Sequence, residues 1–247
     1  MLTRKLRKIH RLSVAVGSRV MGLDPSLNGF SASLLVEGRL VDFQAWTDKV
    51  TLQARNPSAL CFYKAPKGST LINRAFKVNM LSAWLIQKFE AFKPNVVSFE
   101  DYAFGAKSVG ATDIHELVGT LKRYLWIKGI PYRLYPIKTV KKAWTGKGDA
   151  TKAEMVAACL EHLGYSFEAY GSAGEDLADS SLIGLLLHTE LGVRNGSIRL
   201  ADTSEHVRRI LKHRTKAEPI PLLERTLIAS ANVDRSLAPI ISSTFDF

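Results

Sequence analysis

Cysteine is scarce in this chain. Its two thiols, Cys61 and Cys159, are too few and too far apart for a disulfide framework or a zinc site, and a reducing compartment fits them. No apolar run approaches the ~20 residues a helix needs to cross a bilayer, so no membrane partner is expected. Internal repeats are missing as well, which excludes repeat arrays. Negative charge is in short supply: 23 Asp and Glu stand against 34 Lys and Arg, a formal charge of +11. Such an excess favours a polyanionic partner, nucleic acid first among them. The first acid in the chain is Asp24. Residues 1–18 therefore form a basic arm that fits a DNA-phosphate contact, an organelle transit peptide or a solubilising tail. A cytoplasmic location is expected, in a bacterial or virus-infected cell, and the acid-free start leaves organellar import open.

What is present reads as a folded α/β protein. Hydrophobic residues make up 46% of 247 positions, enough for a substantial core. Strand-like runs at 20–24, 30–36 and 40–46 are separated by turn chemistry at Asn28-Gly29 and Gly38 and predict an opening β-meander. Segment 47–72, rich in Pro, Gly, Ser and Lys, reads as a loop. Val78, Leu81, Leu85, Phe89 and Phe92 then recur at helical spacing until Lys93-Pro94 stops them. A short apolar strand at 96–100, a helix carrying Ile114, Leu117, Val118, Leu121 and Leu125, and a strand at 131–135 follow. Two more helices carry Met155 to Leu163 and Asp176 with Asp179. Three antiparallel strands followed by parallel ones predict a five-stranded mixed sheet flanked by helices. Beyond Gly192 the patterning weakens, and 193–247 reads as an extension that packs on the core, contacts DNA or stays mobile.

Four carboxylates stand where isolated negative charge is disfavoured. Asp24 and Glu100 end apolar strands, and Asp176 and Asp179 share one face of a helix rich in Leu and Ile. Each has a plainer reading: Asp24 before Pro25 as a turn former, Glu100-Asp101 as a solvated strand end, Asp176 as a helix N-cap. Asp179 resists such a reading. Gathered at the strand ends where α/β sites form, the four would suit one or two hard cations such as Mg²⁺, which takes a few carboxylate oxygens plus water and phosphate. Two ions can activate water and stabilise a leaving oxygen in phosphodiester hydrolysis.

The basic segment from Tyr135 to Lys152 is the second informative region. Lys138, Lys141 and Lys142 lie at helical spacing before a glycine-flanked loop, and Lys147 and Lys152 follow. Together they could track one phosphate backbone. The plainer reading is a solvated lysine face, against which Trp144 in its middle argues.

The order Gly22-Leu23-Asp24-Pro25-Ser26-Leu27-Asn28-Gly29, then Phe99-Glu100, then Val140-Lys141-Lys142-Ala143-Trp144-Thr145-Gly146-Lys147-Gly148-Asp149-Ala150-Thr151-Lys152, then Asp176-Leu177-Ala178-Asp179 resembles the RuvC Holliday-junction resolvases of the RNase H-like superfamily. The resemblance spans residues 20–188, within a nuclease domain expected at 19–192. It implies that Asp24, Glu100, Asp176 and Asp179 ligate Mg²⁺ or Mn²⁺, two ions per site. It puts Lys141 and Lys152 near the scissile phosphate, and Tyr102 and Phe104 at the position of a base-stacking aromatic, although a core role for Phe104 stands equally. It also implies a homodimer that nicks a four-way junction symmetrically. The basic arm, segment 47–72 and the tail exceed a minimal resolvase and suggest a divergent viral or organellar member. Other readings are a broader flap or fork endonuclease, a non-catalytic junction-binding module, and an RNase H-type ribonuclease.

Overall fold

The computed structural model describes residues 18–27, 29–64, 70–101, 109–213, 222–225 and 227–228. Strand β1 (Arg19–Asp24) pairs antiparallel with β2 (Ser31–Val36), and β2 pairs antiparallel with β3 (Arg39–Thr47). On its other side β1 pairs in parallel with β5 (Val96–Glu100), followed by parallel β6 (Tyr132–Tyr135). The meander and the parallel strands thus lie as the sequence predicts. One more strand joins them. β4 (Leu60–Phe62) lies parallel to β3 at the edge, giving the order β4-β3-β2-β1-β5-β6, six strands rather than five. It follows helix α1 (Val50–Arg55), and both fall in the segment expected as loop. A three-residue strand and a six-residue helix are too short to print a period on the sequence.

Alternation along the strands sorts the core into two layers. Met21, Leu23, Val97 and Phe99 face helices α2 (Leu71–Phe92) and α3 (Val109–Ile127). Val20 and Val96 face the other layer, built from α4 (Ile137–Thr145), α5 (Lys152–Leu163), α6 (Ser172–Asn195) and α7 (Glu205–Lys212). α6 lies at the centre of that layer. It is buried along nearly its whole length, as befits a helix apolar on all sides.

The sheet face beneath α6 is made of small residues. A Cβ on Gly22 would lie 2.0 Å from the Ser180 carbonyl oxygen, and one on Gly184 would lie 2.6 Å from the Leu35 side chain. Around this approach, buried hydroxyls find partners: Ser33 and Ser180 share a hydrogen bond of 2.8 Å, Ser181 donates to Ser33, and Ser98 donates to the Ile183 carbonyl. No buried hydroxyl of this seam is left unsatisfied at the cost such a group would carry.

A buried charged group anchors the extension. Glu190, fully buried, accepts from Arg133 at 2.7 Å, from the Tyr135 hydroxyl at 2.6 Å and from Arg194 at 2.8 Å. Arg133 and Arg194 in turn donate to the Arg225 carbonyl, and Arg194 also to that of Leu222. Val207, Leu211, Leu222 and Leu227 bury in the core, and Ile228 bridges Tyr132 on the β6 edge. Of the three fates open to the tail, these residues take packing on the core.

Replacing Gly22 by alanine is expected to destabilise the fold by about 3 kcal/mol, because the clash is with backbone and neither element can yield without disturbing the other. Thermal melting checks this, with a drop of several degrees expected.

Candidate active site

Asp24 and Glu100 occupy the last positions of neighbouring parallel strands, one step beyond the Leu23–Phe99 pair. Strand parity puts both side chains on the α6 face. α6 crosses that end of the sheet, fixed by Ser31, whose hydroxyl donates to the Asp176 carbonyl at 2.6 Å. Asp176 is the fifth residue of α6, whose N-cap is Gly171, so the N-cap reading of Asp176 does not hold. Gly29 is required here: a Cβ on it would stand 2.1 Å from the Asp176 carboxylate.

Electrostatics tie the four acids together. Burial and the charges of Asp179, Asp176 and Glu100 raise Asp24 well above the usual carboxylate range, with Lys152 opposing. Burial and then Asp179 push Glu100 up to about 7, with Lys141 opposing. Burial raises Asp176 to about 6 against the pull of Lys152, and raises Asp179 to about 6 against Lys141. Asp24 and Asp179 are each only 8% exposed. A solvated strand end does not describe this cluster.

The donor set fits a hard divalent cation. All four groups offer carboxylate oxygen, and Asp179 Oδ1 is buried with no hydrogen-bond partner. Such an orphaned acceptor asks for an explanation. Among the described residues no three His, Cys, Asp or Glu side chains form a ready-made metal cage. Mg²⁺ does not need one, since it is held by one or two carboxylates with waters and substrate phosphate completing its shell.

The basic segment divides between two directions. Lys141 donates to the Ala150 carbonyl at 2.7 Å and lies near enough to Glu100 and Asp179 to lower both. Lys152 pairs with Glu175 at 3.0 Å and Asp176 at 3.6 Å. Lys147 instead pairs with Glu154, itself the reciprocal partner of the Thr151 cap of α5. Lys138 and Lys142 line a cleft against α7. Trp144 turns inward, donating to the Leu182 carbonyl at 3.0 Å, so its role is to seat α4 on α6. Tyr102 and Phe104 lie outside the described residues. Glu175 is the site residue that sequence reading missed. Its only signal was adjacency to Asp176, since a glutamate in a first helical turn is ordinary.

The raised carboxylates carry a pH signature. The folded chain holds protons that the unfolded chain has already released between about pH 4 and about pH 7, so metal-free stability falls as pH rises through that window. Below it both states are protonated and nothing is lost. Melting in EDTA is expected to drop by several degrees from about pH 5 to about pH 8. Asp24→Asn should flatten the drop, and millimolar Mg²⁺ should raise the melting temperature more at the higher pH.

No protein-family model and no curated protein matches the chain. Solved structures do. The Thermus thermophilus RuvC structure superposes with a TM-score of 0.50 at 21% identity, covering 72% of this chain and 96% of that one. T. thermophilus RuvC in complex with Holliday junction substrate gives 0.51 at 21%, covering 73% and 97%. The crystal structure of the yeast mitochondrial Holliday junction resolvase gives 0.49 at 17%, covering 80% and 90%. With almost the whole of RuvC superposed on nearly three quarters of this chain, the mixed sheet and its two helical layers have the fold of RuvC.

Proposed function

We propose that the chain is a divalent-metal-dependent endonuclease that resolves four-way DNA junctions by paired, symmetric nicks. One observation carries this reading: Asp24, Glu100, Asp176 and Asp179, distant in sequence, lie near enough at the carboxyl ends of β1 and β5 for the other three to raise Asp24 and for burial to raise all four. A surface of charge +11 has little use for such a cluster unless cations turn it toward phosphate. The RuvC fold supports the reading, since one of the superposed structures holds RuvC with a Holliday junction.

In this reading the four carboxylates hold Mg²⁺ or Mn²⁺, two ions per site. Divalent cations there supply the activation of water and the neutralisation of the leaving 3′ oxygen that hydrolysis needs. The chain's own groups do the rest. Burial under α6 keeps Asp24 and Asp179 in a low-dielectric setting where charge interactions are strong. Lys141, fixed by the Ala150 carbonyl, and Lys152 stand at the cluster rim to receive the scissile phosphate, and Lys152 exchanges Glu175 and Asp176 for it. Lys138, Lys142 and Lys147 bind the DNA backbone farther out.

Symmetric nicking requires two sites, and an exposed apolar stripe supports pairing of two copies. Leu71, Ile72, Phe76 and Met80 are 78%, 80%, 49% and 40% exposed. The last three recur every four residues, one apolar stripe along α2. A two-fold axis through this stripe would pair it with itself. No helix among the described residues is long and apolar enough to cross a membrane, so a bilayer-spanning role does not account for it.

Asp24→Asn or Asp179→Asn is expected to slow Mg²⁺-dependent cleavage of a labelled four-way junction by about three orders of magnitude, equivalent to ~4 kcal/mol of transition-state stabilisation. Junction binding should persist. Retained cleavage by either variant removes the metal-site reading, and equal nicking of a simple flap or an RNA–DNA hybrid removes the junction-resolving one. Phe76→Asp should convert a dimer in sedimentation equilibrium to a monomer while the fold, followed by circular dichroism, stays intact.

A further inference from the structure

A cleft of about 650 Å³ opens between α4 and α7, away from the carboxylate cluster. Lys138 and Lys142, one turn apart on α4, line one wall, and Arg209 and Ile210 of α7 with His213 just beyond it line the other. No acidic residue lines this cleft among the described residues. α7 is held in place by Val207 and Leu211, both buried in the core, and by His206, whose ring leaves only 2.8 Å to a Cβ built on Gly146. That seating is what brings Arg209 and His213 opposite the two lysines. Arg209 donates to Glu205 at 3.2 Å, an exposed pair one helical turn long and weak enough for a phosphate to replace. The neighbouring surface adds Lys212 and Arg208, the latter donating to the Ala201 and Thr203 carbonyls, beside Glu205.

α4 therefore works in two directions. Lys141 reaches the carboxylates, while Lys138 and Lys142 reach the cleft. A nine-residue helix is only ~14 Å long, so a duplex whose phosphate lies at the cluster passes the cleft within about one helical turn of DNA. We propose that α4 and α7 form a second phosphate clamp, which grips a duplex arm of the substrate and makes the extension after α6 part of the DNA-binding surface. This inference rests on the nuclease reading and extends it to residues outside the segment that resembles RuvC.

The test uses the full chain and a fluorescein-labelled four-way junction, titrated by anisotropy in EDTA across a salt series. The pair Arg209→Ala with His213→Ala is expected to bind about fivefold more weakly, with a log–log salt slope shallower by about one. Lys128→Ala, on the opposite helical layer beside Tyr124, should leave affinity and slope unchanged. The charge-retaining Arg209→Lys variant should bind like wild type, and a loss equal to that of the alanine pair would reveal a packing role and overturn the clamp. If wild type cuts the junction and the alanine pair binds with wild-type affinity and slope, the clamp alone fails. If wild type neither binds nor cuts, the nuclease reading fails and the clamp with it.

Discussion

Helix α6 lies so close to β1 that one methyl group at Gly22 would collide with a helix carbonyl, and that approach sets the position of every acid in the cluster. Asp176 and Asp179 ride on the helix, and Asp24 and Glu100 end the strands beneath it. Larger residues at 22 or 184 would lift the helix by the width of a side chain and draw the carboxylates apart. The small, hydroxylated seam of Ser31, Ser33, Ser98, Ser180 and Ser181 serves the same end, because hydroxyls that bond one another across the gap tolerate close packing without leaving polar atoms stranded.

Closeness comes with an electrostatic penalty. Four acids held near one another under apolar cover resist ionising together, and among the described residues Lys141 and Lys152 oppose them. The chain as a whole is basic, with 34 Lys and Arg against 23 Asp and Glu, whereas the strand ends beneath α6 are acidic.

Much of this was legible in the order of residues. The strands that carry Asp24 and Glu100 are short apolar runs closed by a charged residue, and the spacing of Asp176 and Asp179 admits only a shared helical face. Other features left no local trace. β4 and α1 are stabilised by pairing with β3 and by tertiary packing, not by any periodicity of their own. Glu190 meets Arg133 and Tyr135 across more than fifty positions, and nothing in its immediate sequence announces a buried charge. Trp144 misled for a related reason: a lysine-rich helix can turn its one aromatic inward, and only the position of Leu182 on α6 decides that it does.

The two borders of the sheet differ in how they are closed. On one side β4 is three residues long, and on the other β6 is bridged by Ile228 under the Glu190 anchor. Of the nine residues of β3 only Ala45, Trp46 and Thr47 pair with β4, and β6 meets Ile228 through one bridge at Tyr132. Arg39, Asp42 and Gln44 mark the stretch of β3 that β4 does not cover, and polar or charged side chains there discourage pairing with another backbone.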